Sequence, residues 1–170
     1  GPQGSRFLPW REDQIAALIP LVADIVRRHE IPPDRVVGHS DVAPQRKVDP
    51  GPLFPWARLA ERGLVAWPDA ARVAAARPGF ERQLPDATWF QQALAGVGYE
   101  VPRHGGWDEP TRRVLAAFQM KYRPARHDGQ PDAESAALLA GLLPAGSPDA
   151  RPNPSAVPLA PRPARPSTRR

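Results

Sequence analysis

Proline sets what this chain can fold into. Twenty-four of its 170 residues are proline. Each one fixes a backbone angle, removes an amide donor and disfavours helix in the residue before it. Helical patterns are therefore cut into short lengths. Residues 12 to 30, EDQIAALIPLVADIVRRHE, bring Ile15, Leu18, Ile19, Val22, Ile25 and Val26 to helical spacing. Pro20 lies inside that pattern and predicts a kink or a late start to regular helix. IPPDR then breaks it. PWARLAERG predicts a second helix, with Pro55 in its first turn and Gly63 as its stop.

Residues 70–84 are rich in alanine and arginine and interrupted by Pro78-Gly79, so they read as a linker or a loosely attached helix. Residues 85–143 read as a compact unit of three short helices. Asp86, Asp108 and Asp132 or a near neighbour stand as N-caps, and Phe90, Leu94, Val114, Phe118, Leu138 and Leu139 share one core. From residue 144 onward come 8 of the prolines and none of the aromatic residues, a composition that predicts a disordered tail.

The formal net charge of +5 raises the question of a nucleic-acid partner. Five arginines and one aspartate in residues 144–170 account for +4 of it, leaving +1 for the rest. The excess belongs to the tail, which argues against a basic face on the folded part, and no nucleic-acid partner is expected. There is no cysteine, which removes disulfides and thiolate chemistry. No apolar run reaches the ~18 residues of a membrane span, and the opening GPQGSRFLPW has neither the basic start nor the apolar core of a signal peptide. It has no initiator methionine either, so residue 1 is read as a cut boundary. A monomer is expected.

The stretch that invites chemistry is VVGHSDVAPQRKVDPGPLFPW, residues 36–56. Val36 and Val37 read as a short strand ended by Gly38, which leaves His39 at its mouth. Lys47 and Asp49 follow on a loop stiffened by Pro44, Pro50 and Pro52. A strand needs a neighbour for its backbone groups, so this one implies a sheet whose other strands lie outside the chain. The alternative is an extended segment lying on helices. A relay of Ser40, His39 and Asp41 is disfavoured, because adjacent residues on an extended segment face opposite ways.

With these motifs in view, the chain resembles the zinc-dependent N-acetylmuramoyl-L-alanine amidases in their two-domain Gram-negative form. GHSDVAPQRKVDPGPLFPW carries the catalytic half of the resemblance. GYEVP, GGWDEPTRRVLAAFQ and DGQPDAESAALL carry a peptidoglycan-binding domain. The resemblance implies an α/β amidase fold, present as its C-terminal half over residues 1–69 with mostly helix and one strand. After the linker it implies a small all-α three-helix bundle. His39 and Asp49 become ligands of Zn2+, and Lys47 becomes a catalytic residue that stabilises the transition state. The substrate is peptidoglycan or a muropeptide, and the location the periplasm, with outer-membrane association as an option.

The family's second histidine ligand and its proton-handling glutamate have no counterpart here. His29 ends a helix in a charged stretch, while His104 and His127 read as surface residues. The chain is therefore expected to be N-terminally truncated and inactive alone. A rival reading makes the half-site vestigial and the protein a noncatalytic wall binder. Tyr99 and Trp107 would then line a groove, although core packing is the plainer account of Trp107.

Overall fold

The computed structural model describes residues 7–147. Within them run α1 (Glu12–His29), α2 (His39–Val42), α3 (Trp56–Glu61), α4 (Ala70–Arg82), α5 (Ala87–Gly96), α6 (Glu109–Tyr122) and α7 (Ala133–Leu142), with a 3-10 turn at Pro33–Arg35. α1 continues through Pro20 and buries Ile15 and Ile19. Pro55 stands just outside α3 as its N-cap rather than in its first turn.

No strand forms among the described residues, which corrects the expectation of an α/β fold with one strand at Val36–Val37. Val36 is extended, but no neighbouring strand is there to complete a ladder. Its carbonyl accepts instead from Lys121 Nζ of α6 at 3.5 Å, and Val37 is 48% exposed. An extended segment lying on helices is what forms.

Two apolar clusters hold the chain. Ile15 and Ile19 of α1 meet Trp56, Leu59, Leu64 and Val65 in the first. The second gathers Phe90, Leu94, Val114, Phe118 and Leu139 among others, with Leu138 half-buried at its edge. Of the linker and helix readings of residues 70–84, a helix forms, with Phe80 in this second cluster and Val73, Ala76 and Leu84 packed against it. Asp69 caps α4 by accepting the Arg72 N–H at 2.8 Å, and Phe80 is 1% exposed against Trp89. Gly141 of α7 lets α4 approach, since a Cβ there would meet Val73 at 2.6 Å. Arg72 then donates to the Ala140 carbonyl at 2.8 Å. Packing of this kind outweighs the cost of Pro78 inside the helix.

Within 85–143 one device occurs twice. The Gln91 side chain donates to the Gly106 carbonyl and Thr111 hydroxyl and accepts the Gly105 N–H. Gln119 does the same with the Gln130 carbonyl, the Ser135 hydroxyl and the Gly129 N–H. Each buried glutamine thus satisfies a loop that could not pair with itself. Most of the tail expected from residue 144 lies outside the described residues.

Candidate active site

His39 is the first residue of α2, a helix of four residues. So short a helix has little stability of its own, and its geometry is imposed by contacts around it. The Asp41 carboxylate accepts the Gly38 N–H at 2.9 Å. The Ser40 N–H donates to the Asp49 carbonyl at 2.9 Å, which draws the far side of the loop back to the helix. Lys47 N–H closes the intervening turn on the Ala43 carbonyl. Gly38 is required by contact, because a Cβ would lie 2.7 Å from Pro50 Cδ and 3.2 Å from the Trp56 ring.

These constraints bring His39 and Asp49 together. Nδ1 of His39 lies 2.5 Å from Oδ2 of Asp49, with both side chains more than half exposed. The contact with His39 lowers the Asp49 carboxyl below its ordinary value, and the charge of Lys47 adds to that. Lys47 is itself exposed. An imidazole nitrogen and an ionised carboxylate converging on open solvent suit zinc, which takes both donor types. Among the described residues no group of three or more histidine, cysteine or acidic side chains gathers in this way. His29, His104 and His127 stand apart from the loop. His104 contacts Asp108 at 2.8 Å and His127 the Pro124 carbonyl at 2.9 Å.

Behind the loop lies a polar cluster that the sequence reading missed. Asp41 accepts from Tyr99 Oη at 2.7 Å and from Lys121 Nζ at 3.0 Å. The side chains of Asp41 and Lys121 are each 7% exposed. The Lys121 ammonium also sits 4.3 Å from the centre of the Trp56 ring. Tyr99 is thereby committed to the interior, and burial pushes its hydroxyl well above the ordinary range. Trp107 packs on Phe90 at 5.3 Å. The signal for Lys121 was available, because it falls on the apolar stripe of Val114 and Phe118, where a charge needs a partner. A cleft of about 460 Å3 adjoins the cluster, lined in part by Val36, Val42, Tyr99 and Tyr122. His39, Lys47 and Asp49 do not line it.

Residues 3–52 match the family model described as N-acetylmuramoyl-L-alanine amidase. Residues 83–139 match one described as putative peptidoglycan binding domain. Over 138 residues the chain is 47% identical to the N-acetylmuramoyl-L-alanine amidase AmiD of Escherichia coli, covering 81% of this chain and 50% of AmiD. This chain is similar to N-acetylmuramoyl-L-alanine amidases. The 1,6-anhydro-N-acetylmuramyl-L-alanine amidase AmpD of Enterobacter cloacae is 38% identical over 57 residues, which are 34% of this chain and 30% of AmpD.

Solved structures agree in fold. Escherichia coli AmiD, in complex with the substrate anhydro-N-acetylmuramic acid-L-Ala-D-gamma-Glu-L-Lys, superposes with a TM-score of 0.70 at 46% identity, over 79% of this chain and 52% of AmiD. AmpDh3 of Pseudomonas aeruginosa gives 0.75 at 42% identity, over 81% and 54%. The chain thus spans about half the length of AmiD and of AmpDh3.

Proposed function

We propose that this chain is part of a zinc-dependent amidase that hydrolyses the bond between N-acetylmuramic acid and L-alanine in peptidoglycan or muropeptides, and that residues 85–143 hold it to the wall. The carrying observation is the convergence of His39 and Asp49 at 2.5 Å on an exposed loop that also carries Lys47. The similarity of that loop to amidases, and of the C-terminal unit to a peptidoglycan-binding domain, supports the substrate. Its location would be the periplasm, where such a wall is met.

His39 and Asp49 would hold the metal, His39 through a ring nitrogen and Asp49 through its carboxylate. When bound there, zinc supplies an acidified water and an electropositive centre for amide hydrolysis. The chain's own residues do the rest of what can be assigned. Asp49 is kept ionised by His39 and Lys47, so it is available as a ligand. As the scissile carbonyl becomes tetrahedral its oxygen gains negative charge, and the Lys47 ammonium is placed on the same loop to favour that charge.

Three substitutions test the reading. In a form of the protein carrying the remaining ligands, His39→Ala and Asp49→Ala should lower zinc content and hydrolysis together. Lys47→Ala should keep zinc and lose ~10²–10³-fold in rate, as when an oxyanion donor is removed. The 170-residue chain, with two ligands, should bind zinc weakly and release no peptide from muramoyl-peptides. Zinc content unmoved by either ligand substitution would return the noncatalytic wall-binding reading.

A further inference from the structure

We propose that Tyr99 and Lys121, both in the wall-binding unit, are positioning residues for the His39–Asp49 loop. The proposal rests on the reading of that loop as the metal site. It makes the C-terminal unit part of the site's scaffold as well as its anchor.

The argument starts from Asp41. Its carboxylate receives three donors: the Gly38 N–H from its own loop, Tyr99 Oη from the chain after α5, and Lys121 Nζ from α6. Two of the three thus come from residues 58 and 80 positions away in sequence. α2 has one turn and no apolar face of its own to anchor it, since Val42 is exposed. Asp41 is its buried charged group, and a buried carboxylate goes where its donors are. His39 lies two residues before Asp41 and hydrogen-bonds through its carbonyl to the Ala43 N–H. Fixing Asp41 therefore fixes the backbone from which the imidazole projects.

The rest of the contact surface points the same way. Lys121 donates to the Val36 carbonyl as well as to Asp41, and lies over Trp56, the residue against which Gly38 is packed. Farther along the loop Gln45 is held from both sides. Its side chain donates to the Pro110 carbonyl at 2.9 Å, and its carbonyl accepts from Arg113 Nη1 at 3.0 Å. The loop from Val36 to Asp49 is thus clamped onto α6 at its start, at Asp41 and at Gln45. A module tethered only to deliver an enzyme to its substrate needs none of these contacts with the catalytic loop.

Hydrogen exchange on the whole 170-residue chain decides the matter. Tyr99→Phe removes one hydroxyl, and Lys121→Met keeps the stem while removing the ammonium. Val114→Ala serves as a control that loosens the C-terminal core without touching Asp41. The Ser40, Asp41 and Lys47 amides, bonded to Asp49, Gly38 and Ala43, should exchange at least about tenfold faster in the first two variants. Amides in the middle of α5 and α7 should change by less than about threefold. In Val114→Ala the opposite pattern is expected. A Zn2+ titration followed through the His39 ring signals should need higher metal in Tyr99→Phe and Lys121→Met than in the parent chain. Loop amides that stay protected in both variants, or that accelerate no more than those of α5 and α7, would overturn the proposal. A parent chain whose His39 signals ignore Zn2+ would sink the metal reading instead, with the exchange result still standing on its own.

Discussion

Asp108 shows how much a single half-buried side chain is asked to do. It caps α6 by accepting the Thr111 N–H at 2.9 Å, and its other oxygen meets His104. Hydrogen bonds from the Thr111 side chain and backbone, with His104 in addition, lower its carboxyl from 3.8 to about 2. The folded state thus holds this proton less tightly than the unfolded chain does. Its contribution is complete above about pH 4 and is lost as pH falls through about 2. Asp108→Asn keeps an acceptor at the cap but cannot titrate. Urea unfolding at pH 5 and pH 2.5 should therefore show a parent-minus-variant difference that shrinks at the lower pH. A difference that stays constant or grows would mean the cap does not depend on charge.

At the scale of elements, the helices with an aspartate ahead of them were legible, because a cap is a local choice made within three residues. Asp86 and Asp132 accept the Trp89 and Ser135 N–H groups as the sequence predicted. An aspartate also stands ahead of α4, Asp69, and the sequence reading passed over it because Pro78-Gly79 suggests a break. What sequence did not show is that Gly141, far along the chain, clears room for α4 to dock. The strand failed for the converse reason, since Val36-Val37 has the right residues and no neighbour among those described. The candidate residues His39, Lys47 and Asp49 come from one loop of the sequence, whereas Asp41, Tyr99 and Lys121 meet only in three dimensions. Phe80 tests the status of α4. A tethering linker would tolerate Phe80→Ala, but a ring buried against Trp89 should lose ~3–5 kcal/mol, allowing for the cavity left behind. Urea titration of the whole chain measures this. A loss under about 1 kcal/mol would detach α4 from the core.

Across the whole molecule, charge and structure are divided in a way that a binding experiment can separate. Residues 144–170 hold +4 of the net +5, so any attraction to an anionic wall polymer made by them is long-range and weakened by salt. The unit containing α5 to α7 carries its surface charge largely as neighbouring pairs, such as Arg113 with Glu109 and Arg126 with Asp128. Recognition by that unit would rest on shape and hydrogen bonds, which salt screens little. Sedimentation with purified peptidoglycan sacculi, at about 0.02 M and about 1 M salt, distinguishes the two contributions because the Debye length falls to ~3 Å at the higher value. The parent chain and one ended at Ser147 should both pellet at high salt. The parent should show additional binding only at low salt. Cutting instead at residue 85 is expected to weaken binding at both, since it removes α4 with Phe80, Asp69 and the Arg72 bonds to α7. If ending the chain at Ser147 abolishes sedimentation at every salt concentration, wall binding belongs to the arginine-bearing segment and not to the helices.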